Sequence, residues 1–346
     1  MILSDAFKAQ SETCVRMGSP FMGQLLGILA RDWPLDSALG RKFARFEGDI
    51  GPSGHSLPLR IAGGLHALVL NNRAPELAAL YPPHTASDSA LRDGVLQALR
   101  THEEFLLEWT NSAPQTNEVR RSAALIAGAH VAMQHFDLPI FLSELGASGG
   151  LNLMWDHFAL DINGTQFGAD APAIVFSPEW DGALPPAAHP VIAKRAGVDL
   201  NPLDPSRDDH LLRLTAYLWA DQPERLNNTR AAASVATAQP EQGDAITWLA
   251  PRLAAAPKGH LHMIQHTVAW QYFPAEAQAR GRDLIEAAGA QATLDNPIAW
   301  LSMETDGDTT GKVGAALILR LWPGNLTIDL GRVDFHGRWV KWAYAG

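Results

Sequence analysis

Residues 144–150 read Glu-Leu-Gly-Ala-Ser-Gly-Gly and bring a carboxylate, a hydroxyl and three glycines into seven positions. Three chemistries are compatible with that spacing. Taken from Gly146, the segment fits G-x-S-x-G, the turn that presents a nucleophilic serine. Ser148 would then need an acid and a histidine later in the chain, and Asp306 and His336 stand in that order. No HGGG-type oxyanion segment precedes the loop, however, and a buried, unpaired Glu144 beside it would be costly. Taken as G-x-G-x-x-G, the dinucleotide pattern, only Gly146 matches, because Ser148 and Leu151 occupy the other two glycine positions. Taken as an acidic strand end followed by Gly146, Ser148 and Gly150, the loop lets backbone approach a ligand closely. Glu144 would then accept hydrogen bonds from a cationic amino group or its ordered water.

The elements around the loop decide where these groups can point. The run LPIFLSEL, bounded by Pro139 and the glycines, predicts a strand buried on both faces of a parallel sheet. Beyond it LNLMWDHF reads as helix. ALDINGTQF reads as a hairpin turning at Asn163-Gly164, and a proline-rich excursion runs to Pro190. VIAKRAGVDLN predicts a strand ending at Asp199, RDDHLLRLTAYLWA and PERLNNTRAAA helices, ASVATA a short strand and DAITWLAPRLAAA a helix. GHLHMIQHTVAW and IAWLSMET are strands flanking the helix PAEAQARGRDLIEAAGA, and Pro323-Gly324-Asn325 turns the last strands back on each other. Helix-linked strands imply a parallel sheet through right-handed crossovers. Residues 1–136, by contrast, carry helical spacing almost throughout, with Thr116 or Asn117 placed to cap a helix. The expected fold is α/β: a doubly wound, mostly parallel sheet over 137–346, with an antiparallel C-terminal hairpin, an insertion at about 160–190 and a helical N-terminal region over 1–136.

Bulk properties narrow the function classes. A chain of 346 residues, 47% hydrophobic and 18% charged, can bury a substantial core and suits about two domains. The net charge of −10 opposes nonspecific nucleic-acid binding, which requires many cations against phosphates. Cys14 is the single cysteine and is expected to be a small buried hydrophobe, and no disulfide can form within the chain. The N-terminus lacks a signal-peptide apolar run, and residues 122–136 are too short and polar for a membrane span. A cytoplasmic protein without membrane or nucleic-acid partners is the expectation.

Glu144, Gly146, Ser148 and Gly150 resemble the cofactor loop of class I S-adenosylmethionine-dependent methyltransferases, with serine in place of the middle glycine. The resemblance implies a Rossmann-like fold and a cofactor, S-adenosylmethionine, held by Glu144, Gly146, Ala147, Ser148 and Gly150. It further implies that Asp199, at the second strand end, takes the ribose hydroxyls and that Asp244 and Ala245 lie near the adenine. The Glu144-to-Asp199 spacing far exceeds the ~20 residues of a single helical crossover, so the hairpin and proline-rich stretch count as an insertion. Acceptor chemistry in that family sits beside the fourth strand end, which makes His266 a candidate base, Tyr272 a catalytic partner and Gln271 an acceptor-orienting group. Asn117, Glu118 and Arg121, before the first strand, and Asn152, after the loop, are candidate pocket residues. GSPF, RAPELAALYP, QTNEVRRSAAL, ELGASGGLNL, DLNPLDP, DQPERL, HTVAWQYFP and HGRWVKW together resemble a bacterial domain-of-unknown-function family with a methyltransferase-like fold.

The implied activity is methyl transfer to a small-molecule substrate; the rivals are a Ser148 hydrolase and a non-catalytic adenosyl binder. Other features read as structural. His260, His262 and His266 share a strand face, but no Cys or acid accompanies them as a metal set requires. Trp155, Trp180, Trp270 and Trp322 are expected in the core or at its rim.

Overall fold

The computed structural model describes residues 2–51, 54–308 and 313–346. Helices come first: α1 (Leu3–Arg16), α2 (Pro20–Asp32), α3 (Ala38–Ala44), α4 (Leu57–Leu70), α5 (Pro75–Ala78), α6 (Asp88–Thr101) and α7 (Glu103–Trp109). α2 illustrates why they form where they do: the Ser19 side chain accepts the Met22 N–H at its start and Pro20 occupies the first turn, where no N–H partner is needed. α8 (Ser122–His135) leads into β1 (Ile140–Leu145). Then come β2 (Phe158–Ile162), β3 (Thr165–Gly168), β4 (Ile174–Phe176), β5 (Glu179–Asp181) and β6 (Ile192–Asp199). α9 (Asp208–Ala216), α10 (Pro223–Val235), β7 (Glu241–Gln242), α11 (Ala245–Ala254), β8 (Leu261–Thr267) and α12 (Ala275–Ala290) follow, and β9 (Ile298–Glu304), β10 (Ala315–Trp322), β11 (Leu326–Val333) and β12 (Trp339–Trp342) close the chain.

These elements form two compact units, Met1–Thr116 with Arg207–Asn227, and Asn117–Ser206 with Asn228–Gly346. The division differs from the expected one at residue 136. α8 belongs to the sheet-bearing unit because it buries nearly every side, Ala123 to Met133, against β-strand residues such as Leu142, Met263 and Leu301. A helix that apolar all round carries no amphipathic signal to say which partner it serves. The helical unit has its own core, including Phe7, Leu25, Leu29, Ile61, Leu65 and Leu99. Among the described residues no helix is long and apolar enough to cross a membrane.

The second unit is mixed α/β, built on a large, mostly parallel sheet ordered β5-β12-β11-β10-β9-β8-β1-β6-β7. β1 is central. The chain adds β6 and β7 on one side of it and β8 and β9 on the other, all parallel, so strand order reverses between β1 and β8. β10, β11 and β12 extend the sheet as an antiparallel meander, with the 323–325 turn where it was expected. One face carries α8 with Leu142, Leu261 and Met263; the other carries α11 and α12 with Leu145, Val198 and Ile264. The 160–190 stretch forms a three-stranded sheet, β3-β2-β4, with the Asn163-Gly164 turn at φ 53° and 88°. It also supplies β5, which adds to the edge of the main sheet beside β12, a role its short sequence EWD does not announce.

Two local expectations change. LNLMWDHF is a 3-10 helix, Leu151–His157, kinked at Met154, and ASVATA is not a strand. α10 continues to Val235, and the third parallel strand is only Glu241–Gln242, too short to show any alternation.

Candidate functional site

In an open doubly wound sheet the place where strand order reverses leaves a crevice at the carboxyl ends of the strands, because the connections on either side run to opposite faces. Here that place is the end of β1, where residues 144–150 lie. Gly146 and Gly150 adopt φ 69° and 72°, and Ser148, without glycine's freedom, adopts φ 54°. Space explains Gly146 as well as conformation, since a Cβ there would stand 2.5 Å from the Ala269 Cβ. Gly197 on β6 is needed for the same reason: a Cβ would stand 2.7 Å from that of Ala147, which folds over it.

Glu144 pairs in register with Gly197 on β6 and Gln265 on β8. Asp199, two residues beyond Gly197, returns to the same face. Its Oδ2 accepts the Ser148 N–H at 2.9 Å and its Oδ1 the Asn201 N–H at 2.9 Å, so the carboxylate ties the ends of β1 and β6 together. Glu144 is 2% exposed, and its Oε2 has no hydrogen-bond partner among the described residues. Burial pushes its pKa up to about 8; the Gln265 hydrogen bond and the Arg121 charge pull against that rise, and the Asp199 charge adds to it. At neutral pH the carboxyl is therefore mostly protonated.

Gln265 is held in one orientation. The Trp155 indole N–H, which can only donate, meets Gln265 Oε1 at 3.1 Å, turning the amide nitrogen toward the Asn152 carbonyl at 3.4 Å and toward Glu144. The segment before α8 closes over the same region. The Asn117 side chain does not cap a helix but accepts the Leu151 N–H at 2.8 Å, Asn152 donates to the Glu118 carbonyl at 3.3 Å, and Ser122 donates to Asn152 Oδ1 at 2.7 Å. Arg121 donates to the carbonyls of Phe335 and Thr267 at 2.9 and 3.1 Å. Asn117, Glu118, Arg121, Glu144, Ser148, Asn152 and Asp199 thus gather at one sheet end. Asn117→Ala leaves the buried Leu151 N–H unpaired and is expected to cost about 1–3 kcal/mol, read from urea unfolding; an unchanged midpoint would contradict the bond.

The remaining candidates are engaged in other bonds or exposed. Asp244 caps α11, accepting from the Thr247 N–H at 2.8 Å and its hydroxyl at 2.7 Å, which holds its carboxyl below the usual range. The neighbouring Gly243 N–H reaches the Asp199 carbonyl at 3.0 Å, so Asp244 and Ala245 border the site while the Asp244 side chain serves the helix. His266 projects to the face opposite Glu144, where it stacks on Trp270 at 5.0 Å. Its Nδ1 meets Glu304 Oε1 at 2.8 Å and its Nε2 accepts the Trp300 N–H at 2.8 Å. Both ring nitrogens are engaged, and the candidate base at His266 lies away from Glu144. Burial pushes the Glu304 carboxyl up, but the His266 bond and the N–H groups of Ala269 and Trp270 outweigh it and hold the pKa below the ordinary value. Gln271 fastens the same loop, donating its N–H to Glu304 and accepting the Thr305 N–H at 3.1 Å, and Tyr272 is exposed. Neither reaches Glu144.

Of the serine-hydrolase candidates, Asp306 is paired with Arg332. His260, just before β8, bonds the Lys258 carbonyl, while His262 and His266 within β8 bond Ser143 and Glu304. No group of three His, Cys, Asp or Glu among the described residues is placed to hold a metal ion. Sequence reasoning missed Gln265 and Glu304; the available signal was a polar residue inside the apolar runs HMIQHT and IAWLSMET.

Residues 4–342 match one protein-family model, described as uncharacterized protein conserved in bacteria (DUF2332). No curated protein and no solved structure gives a match. With nearly its whole length under that one model, the chain belongs to this bacterial family.

Proposed function

We propose that the sheet-bearing unit binds an adenosyl ligand at the carboxyl ends of β1, β6 and β7 and acts as an S-adenosylmethionine-dependent methyltransferase on a small molecule. One observation carries the reading: Glu144 and Asp199 share a face of adjacent parallel strands beside the strand-order reversal, joined by the left-handed 146–150 loop. The residues suit the group. Glycine φ values give a ligand close access to backbone. The Glu144 oxygen without a partner suits the ammonium of a methionyl moiety, and Asp199, partly accessible, suits ribose hydroxyls. The cofactor, when bound, supplies an electrophilic methyl group. The chain's own contribution is orientation, the term that binding geometry can supply without a positioned base.

Because Glu144 is mostly protonated when its neighbours are only those of the protein, taking up a cation there releases a proton. Calorimetric titration of S-adenosylmethionine and S-adenosylhomocysteine at pH 7 should give binding enthalpies that vary with the buffer's ionisation enthalpy. Asp199→Ala should weaken both ligands roughly tenfold or more, through loss of charge-assisted hydrogen bonds. Failure of the unmodified protein to bind either ligand rejects the cofactor assignment. A second reading, ligand binding without turnover, draws on the engagement of both His266 nitrogens. It predicts adenosyl binding with no methyl transfer to any acceptor.

A further inference from the structure

We infer that the helical unit carries an oxyanion-binding site, for a carboxylate or phosphate group, between α4, α7 and α9. Its construction starts from two glycines. On α4, a Cβ at Gly63 would stand 2.4 Å from the Tyr217 ring, and one at Gly64 would stand 2.7 Å from Leu106 and 3.0 Å from the Trp109 ring. The pair therefore lets Tyr217 and Trp109 lie directly on the helix, ring centroids 5.9 Å apart. Arg213, one turn before Tyr217 on α9, sets its guanidinium 4.3 Å from the Trp109 ring centroid.

The polar ends of these three side chains converge. Trp109 Nε1, Tyr217 Oη and Arg213 Nη1 are shielded from solvent and have no hydrogen-bond partner among the described residues. Trp109 and Arg213 both approach the Tyr217 hydroxyl without aligning on it. Indole and guanidinium can only donate, so three donors stand together with the Tyr217 oxygen as their one acceptor.

Charge points the same way. Arg60, 5% exposed, donates to the carbonyls of His55, Thr110 and Asn111, and Lys42 donates to the Leu107 carbonyl, the Thr110 hydroxyl and the Asn111 amide oxygen. No carboxylate is among these partners. Burial lowers the pKa of both cations, and Arg60 lowers Lys42 further. Buried cations are ordinarily paired, and leaving one uncompensated costs several kcal/mol. An oxyanion would answer both the charge and the donors, because a guanidinium fork, an indole N–H and a hydroxyl together match the lone pairs of a carboxylate or phosphate. Lys42 and Arg213 are half-buried and Asn111 is exposed, so the rim faces solvent.

The test is a titration of the full-length, nitrogen-15-labelled protein, watching its indole N–H resonances. Trp109→Phe assigns the signal of interest. Sodium phosphate and sodium acetate are added separately, against sodium chloride at matched ionic strength. The Trp109 resonance should shift saturably with at least one oxyanion and not with chloride; the stronger of the two identifies the preferred group. Arg213→Met should weaken the effect roughly tenfold, as loss of a charge-assisted pair does. Tyr217→Phe, which keeps the packed ring, should weaken it several-fold and serves if the Arg213 variant is poorly folded. A Trp109 signal that ignores both oxyanions, or follows chloride equally, overturns the site.

Discussion

Glu144→Gln is expected to leave stability nearly unchanged at pH 4 and to raise it by about 3–5 kcal/mol above pH 8. The native carboxyl has its pKa raised from 4.5 to about 8, chiefly by burial. Across that window the folded chain holds a proton the unfolded chain has released, so stability is fully present below about 4.5, declines as pH rises, and levels off above about 8. At about 1.4 kcal/mol per pH unit the total approaches 5 kcal/mol, an upper figure because the site can relax or admit water on ionisation. Glutamine keeps the shape and has no proton to lose. Urea unfolding of both proteins at pH 5, 7 and 9 measures the difference. A wild-type stability that stays flat between pH 5 and pH 9 would mean that Glu144 is ionised throughout, with a partner for Oε2.

Gly146→Ala should lose about 2–4 kcal/mol. Two separable penalties combine: an alanine at φ 69° is held in the left-handed region, worth roughly 1–2 kcal/mol, and its Cβ would stand 2.5 Å from that of Ala269, a comparable overpacking cost. Adding Ala269→Gly removes only the second, so the double variant should recover about half the loss. The coupling between these positions distinguishes a steric origin from a purely conformational one. Full additivity in thermal unfolding would show that the two loops do not press on each other. Since the same loop presents the proposed ligand site, adenosyl binding should fall with stability in Gly146→Ala and return with the second change.

The sheet was legible where the sequence changes texture. LPIFLSEL, GHLHMIQHTVAW and IAWLSMET are apolar runs between turn residues, and all three contain strands that lie buried in the sheet. Glu144 was legible because a carboxylate ending such a run is costly without a purpose. The Asn117–Arg121 and Asn152 groups were legible as polar residues crowding the same loop, though not their bonds: Asn117 looked like a helix cap and instead holds Leu151 N–H. The face His266 takes follows from parity. A strand sends neighbouring residues to opposite faces, and one position separates Gln265, toward Glu144, from His266, toward Trp270 and Trp300. The face each residue takes depends on which partner strand sets the register, and that is long-range information. β7 and β5, with two and three residues, were too short to carry a period, and the second segment of the helical unit looks like any other crossover helix.

That second segment bears on how the protein is made. The first 116 residues emerge from the ribosome without Arg207–Asn227, so the bare patch over Gly63, which Tyr217 later covers, stays open while β1 to β6 are synthesised. Local helices can form at once, but closing this unit waits on a distant stretch of chain, and such closure is slow and leaves sticky intermediates. Nascent chains arrested before residue 207 should therefore be held by chaperones or aggregate, and release should coincide with translation past Asn227.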